Sequence, residues 1–106
     1  MVVSLFWNPN NIYMKIELKK FGNMLISRPS GREAFLVMQS SLIKGINKNE
    51  LIEIDFLGVE VLTPSWADEV ITKIAEDFKN IKLLNTENSS VQATLKTLRD
   101  YSNLKI

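Results

Sequence analysis

Leu51-Ile52-Glu53-Ile54-Asp55-Phe56-Leu57-Gly58-Val59-Glu60-Val61-Leu62-Thr63-Pro64-Ser65-Trp66-Ala67-Asp68-Glu69 is the stretch that decides the fold. Ile52, Ile54 and Phe56 alternate with Glu53 and Asp55, the period of a strand with one apolar and one charged face. A parallel strand buried on both faces would read as an unbroken apolar run. The alternation therefore predicts a sheet covered by helices mainly on one face, with Glu53 and Asp55 more exposed than Ile52, Ile54 and Phe56. Residues 58–62 read as a short connection. Thr63 then suits an N-cap and Pro64 the first helical position, with Ser65 and Asp68 as a competing cap. Trp66, Ala67, Val70, Ile71, Ile74, Ala75 and Phe78 form an apolar face opposite Asp68, Glu69, Thr72, Lys73, Glu76 and Asp77. This predicts an amphipathic helix over 64–79.

Upstream, Ile12, Met14, Ile16 and Leu18 alternate with Tyr13, Lys15 and Glu17, again a strand pattern. Phe21-Gly22-Asn23 is a turn signal, so Met24-Leu25-Ile26-Ser27 is expected to pair back as an N-terminal β-hairpin. Arg28-Pro29 is expected to stop that strand. Ser30 with Glu33 has the form of a capping box, opening a helix over 31–44 that Gly45 ends in the left-handed conformation. Downstream, Ile81–Leu84 reads as a strand and Asn85–Ser90 as a polar loop. Val91, Thr94, Leu95 and Leu98 place a last helix over 88–100, followed by a short tail packed by Leu104 and Ile106. The order β-hairpin, α, β, α, β, α predicts an α/β fold with a mixed, mostly parallel sheet. Residues 1–11 read as an N-terminal arm or strand, and residues 12–106 as a single domain.

Composition removes whole classes of function. At 106 residues the chain is one domain. Thirteen basic and twelve acidic residues leave a net +1, so no global field points to nucleic acid or an anionic membrane. There is no Cys and no His, which excludes thiol nucleophiles, thiolate metal sites, His-based triads and imidazole acid–base chemistry. The four glycines are scattered, and no phosphate-binding loop occurs. No metal and no cofactor is expected. The apolar run Met1–Trp7 lacks a basic flank and is too short for a signal-peptide core. The expectation is a cytoplasmic protein without a membrane span. Ten lysines against three arginines, with frequent Asn and Ile, fit an AT-rich prokaryotic genome.

The candidate residues cluster after the central strand. Leu62 and Trp66, with polar Thr63, Ser65, Asp68 and Glu69 around them, have the make-up of an apolar anchor with a polar rim, and Asn85 and Asn88 lie on the loop expected beside them. Ser65 and Thr63 are candidate phosphorylation sites at a helix start. Arg28 and Arg32 are a candidate anion-binding pair, or the partners of Glu33 or Glu53. Asp68 and Glu69 diverge by about 100° on a helix and chiefly complement its dipole. Another reading is a small ligand- or anion-binding domain, or a minor enzyme, using carboxylates at the strand ends: Asp55, Asp68, Ser65 and Arg28 around a pocket. A deep pocket joining Asp55 and Arg28 would favour it. Exposed Leu62 or Trp66 would favour partner binding.

The central stretch, with its Asp55-Phe56-Leu57-Gly58-Val59 and Ser65-Trp66-Ala67-Asp68-Glu69, resembles a STAS-like domain family of unknown function, related to the STAS domains of anti-sigma-factor antagonists. Trp66 stands where that family usually has Phe. Ser27-Arg28 and the segment Leu84–Asn88 resemble the family as well, and the likeness runs from about Ile12 to Asp100. It implies a STAS-like, non-enzymatic, regulatory or signalling module. Such a module binds a protein partner, kinase-like or otherwise regulatory, through the loop and helix after the central strand. In the signalling members, phosphorylation of a Ser in an Asp-Ser-Ser/Thr-Gly motif is the switch. Laid on this chain, the motif puts Thr63 at the Asp, Pro64 at the phosphorylated Ser, Ser65 next and Trp66 at the Gly. Pro64 has no hydroxyl, so that switch does not carry over as it stands.

Overall fold

A computed structural model describes residues 13–106; the expected arm at 1–11 lies outside the described residues. In chain order the strands are β1 (Tyr13–Glu17), β2 (Met24–Leu25), β3 (Leu51–Asp55), β4 (Val61–Leu62) and β5 (Asn80–Leu84). Helix α1 runs over Arg28–Val37 and continues through a wide π turn, Met38–Leu42. Helix α2 is continuous over 64–77, with a π turn at Asp68–Thr72 between the regular segments Pro64–Ala67 and Lys73–Asp77. Helix α3 is Ser89–Tyr101.

β3 lies between β1 and β5, all parallel. The register aligns Ile16, Ile54 and Leu83 in one row and Lys15, Glu53 and Lys82 in the next. Aligned residues of neighbouring strands share a face. The apolar rows therefore lie under the helices and the charged row lies on the opposite face. α1 packs on α2, and α2 on α3. Ile16, Ile52, Ile54, Trp66, Ile71 and Ile74 are buried between sheet and helices. Among the described residues, the α/β class and the mostly parallel sheet are as the element order predicts, and the helices on one face of the sheet are as the alternation within the strands predicts.

The expected N-terminal hairpin is corrected. β2 does not fold back on β1; it pairs in parallel with β4, Met24 opposite Val61 and Leu25 opposite Leu62. After β1 a single 3-10 turn, Leu18–Phe21, carries the chain onward rather than back. Residues 13–25 and 51–62 thus run side by side, each interrupted once. The turn signal at 21–23 marks that interruption, closed by Asn23 carbonyl bonds from the N–H groups of Glu60 (2.8 Å) and Val61 (3.1 Å).

α1 also begins earlier than predicted. Ser27, not Ser30, is the N-cap: its hydroxyl accepts from the Ser30 N–H at 3.1 Å. Pro29 in the first turn needs no N–H partner and so opens the helix instead of stopping a strand. The helix ends near Leu42, and Gly45 holds φ +79°, the left-handed conformation expected of it. Thr63 caps α2 as predicted, accepting from the Trp66 N–H at 3.3 Å. The tail is packed by buried Leu104 and half-buried Ile106.

Candidate functional site

Because β2 leads into α1 and β4 into α2, the two strands deliver both helix starts to one corner of the molecule. The Thr63 hydroxyl donates to the Ile26 carbonyl there, tying one start to the other. Pro64 and Ser65 are exposed at the tip of α2. At the same corner, Met24 of β2, opposite Val61, is 56% exposed, and Ile26, just past the end of β2, is 46% exposed. Leu25 between these two is buried, as strand alternation requires.

Leu62 and Trp66, expected to be the apolar anchors of this corner, are corrected. Leu62 is 2% exposed and Trp66 fully buried. Trp66 points from the first turn of α2 into the interior, where its indole N–H has no hydrogen-bond partner among the described residues. Leu62 is enclosed by α3: its N–H donates to Ser90 Oγ (3.0 Å), and its carbonyl accepts from Ser90 Oγ (3.1 Å) and Thr94 Oγ1 (2.6 Å). At this corner the exposed apolar residues are instead Met24 and Ile26, which the expected hairpin placed elsewhere; Leu36, Val37, Leu57 and Tyr101 are exposed as well.

Asp68 and Glu69 are drawn inward by α1. Arg28 Nη1 donates to Glu69 Oε2 at 2.6 Å and to Asp68 Oδ2 at 3.1 Å. Lys73 Nζ donates to Glu69 Oε1 at 2.6 Å, and Arg32 Nε lies 3.8 Å from the same oxygen. Ser102 Oγ donates to Asp68 Oδ1 at 3.1 Å, so the cluster also reaches the end of α3. The Lys73 bond and the Arg28 bond outweigh burial and pull the Glu69 carboxyl down to about 2. Although Asp68 and Glu69 diverge along the helix, they converge on one guanidinium. The carboxylate partners differ from those expected: Arg28 pairs with Glu69 and Asp68, and Arg32 lies near Glu69, rather than either meeting Glu33 or Glu53.

The pair of helices meets so closely because Gly31 has no side chain. A Cβ there would sit 2.7 Å from the Trp66 carbonyl oxygen and 3.2 Å from Glu69 Cβ.

Asp55 is a correction of exposure. It is 3% exposed, buried almost as fully as Phe56 at 2%. Its Oδ1 accepts from the Leu57 N–H (3.0 Å) and Asn85 Nδ2 (2.8 Å), and Lys15 Nζ lies 3.5 Å from Oδ2. Burial pushes the Asp55 carboxyl up, but the bonds from Asn85 and Leu57 and the Lys15 charge outweigh it, holding it below its ordinary value. Asp55 and Asn85 thus clamp the ends of β3 and β5 together. Asn88 is likewise structural, capping α3 through Ser90 N–H (2.7 Å) and Val91 N–H (3.1 Å) while donating to the Glu60 carbonyl (3.1 Å). Arg28 meets Asp68, but Asp55 belongs to a separate cluster, so the pocket of the ligand-binding reading is not assembled. Among the described residues, no group of three or more His, Cys, Asp or Glu gathers as a metal site, and no helix is long and apolar enough to cross a membrane.

Comparison with known proteins bears on this geometry. The family described as a STAS-like domain of unknown function (DUF4325) matches residues 40–92. That span contains β3, β4, α2, β5 and the start of α3. No curated protein and no solved structure matches the chain.

Proposed function

The chain belongs to the STAS-like domain family of unknown function, and from that membership we propose that it is a non-enzymatic, cytoplasmic, prokaryotic module that binds a regulatory or signalling protein, a kinase-like one being the STAS precedent. The binding surface is the corner where α1 and α2 begin. The observation that carries this reading is the exposure of Met24 and Ile26 beside Pro64 and Ser65. Two apolar side chains with a polar rim are the make-up of a protein interface centre. Pro64 and the Thr63–Ile26 bond stiffen the corner, so little ordering entropy is lost on binding. Thr63 has its hydroxyl engaged as donor and acceptor; Ser65 stands exposed and is the better phosphorylation site. A phosphate on Ser65 would add about −2 charge at the rim and change partner choice without disturbing the helix start.

Ile26→Asp and Ser65→Glu test the reading. Both positions are on the surface, so the melting temperature should stay close to wild type while capture of the native partner from its own cells is lost in Ile26→Asp and altered in Ser65→Glu. Retention of the partner at wild-type level by both folded variants would contradict it.

A further inference from the structure

We propose that the outer edge of β5, together with the groove between β5 and α3, is a second binding surface. It takes an extended partner segment as an added strand, with an acidic residue set between two apolar ones. The surface shares no residue with the corner described above.

The edge follows from the ladder. The Phe56 N–H donates to the Leu84 carbonyl at 3.0 Å, so the backbone groups of Leu84 face β3. In a parallel strand the N–H and C=O of one residue point to the same side and alternate residues point oppositely. Lys82 and Asn80 therefore also face β3, while the N–H and C=O groups of Ile81 and Leu83 point outward. Among the described residues no strand pairs with that edge. An edge left open in this way is the template for strand addition. Beside it lies a groove of about 880 Å³, with half-buried Ile81 and Leu83 on one side and Leu95, Lys96 and Arg99 of α3 on the other. Lys96 forms an exposed pair with Asp100 (2.7 Å), and Arg99 Nε donates to the Ile106 carbonyl (2.6 Å). Among the described residues, no carboxylate side chain lines the groove.

The register then specifies the occupant. Across the open face the row reads Lys15, Glu53, Lys82, an alternation of charge that stops on a cation at the edge. Among the described residues, Lys82 has no ion-pair partner within 4.0 Å. A strand added beyond β5 continues the alternation if it places a carboxylate in that row. The two neighbouring rows, Met14–Ile52–Ile81 and Ile16–Ile54–Leu83, are apolar throughout, and call for apolar residues on either side of the acid. The same row argues against a second copy of this chain. The two-fold antiparallel pairing that uses all the outward groups sets residue 81 opposite 83 and Lys82 opposite its own counterpart, where like charges repel.

The test uses the full chain, isotope-labelled, titrated with an eight-residue peptide whose centre reads Val-Glu-Val and with its Val-Lys-Val analogue. Binding of the first should shift the Ile81 and Leu83 amide resonances, slow their hydrogen exchange, and perturb Leu95 and Arg99 across the groove. The lysine analogue should bind about fivefold more weakly at low salt, and Lys82→Glu should reverse the preference. N-methylation of the peptide amides should abolish binding at one parity and spare it at the other, the signature of a strand. The proposal is overturned if the acidic peptide at millimolar concentration leaves Ile81 and Leu83 unperturbed, or if both peptides bind alike. It is also overturned if those two amides are already slow to exchange in the free chain. Sedimentation would then assign the edge to a second copy if the chain is dimeric, or to the chain itself if monomeric.

Discussion

At the scale of single residues, the acidic pair at the start of α2 is the most informative feature. Glu69 has a side chain 9% exposed and accepts from Lys73 and Arg28 at 2.6 Å each. Its carboxyl lies at about 2 against an ordinary 4.5. A depressed acid stabilises the fold fully above the unfolded value and loses that contribution as pH falls from near 4.5 towards 2. Glu69→Gln should therefore cost on the order of 1–2 kcal/mol at neutral pH, discounted for the partly exposed Arg28 side of the cluster. The gap to wild type should close between pH 5 and 2 in urea unfolding followed across that range. A gap independent of pH would place the Glu69 contribution in packing alone. Trp66 gives a second prediction. Trp66→Ala should cost about 3–5 kcal/mol, as for other large aromatic truncations in a core. Trp66→Phe should be far milder, because the smaller ring also removes an indole N–H that has no partner among the described residues. Thermal melts of the two variants check the difference. The residue types at 62–69 marked this region from the sequence, but their roles were not legible there. Whether Trp66 faces in or out, and whether Asp68 and Glu69 meet a cation, depends on where α1 lies, and no local pattern encodes that.

At the scale of elements, the crossing of α1 on α2 turns on Gly31. In an isolated helix a Gly→Ala change gains about 1 kcal/mol. Here the added Cβ would stand 2.7 Å from the Trp66 carbonyl and 3.0 Å from Trp66 Cα, backbone atoms that cannot swing aside. Gly31→Ala should thus be destabilising, by about 1–3 kcal/mol net, in denaturant unfolding; a stabilised variant would mean that the helices lie farther apart. A second prediction concerns β4. Its outer side is bonded to Ser90 and Thr94 rather than to another strand. Ser90→Ala leaves the Leu62 N–H without that partner and should cost about 1–2 kcal/mol by the same measurement; an unchanged midpoint would show that water replaces it. The long amphipathic elements were legible because their periods are strong over ten or more residues. The ends were less so: at α1, Ser30 with Glu33 has the form of a capping box, but it is Ser27 whose hydroxyl accepts from the Ser30 N–H. β2 and β4 were the least legible. Two-residue strands carry almost no periodicity, and the turn signal at 21–23 fits a hairpin as readily as an interruption between parallel strands.

At the scale of the whole molecule, the α/β class and the one-sided sheet follow from β3, whose Ile52 and Ile54 face the helices while Glu53 shares a face with Lys15 and Lys82. The position of the candidate surface was legible too, since the central strand had to deliver the chain to the start of α2. Its apolar contacts were not, because Met24 and Ile26 reach that corner only through the parallel pairing of β2 with β4. That pairing joins segments 37 residues apart (Met24 with Val61), a distance over which sequence patterns are silent. Partner binding at this corner, as proposed, can be read out by placing a benzophenone photo-crosslinking residue at position 65 and, in a second variant, at exposed position 76 near the other end of α2, each expressed in the native cells. If the corner is the interface, position 65 gives one discrete adduct that disappears when Ile26→Asp is added, and position 76 gives none. No adduct at 65 from a folded chain, or an adduct that survives Ile26→Asp or forms equally at 76, would contradict it.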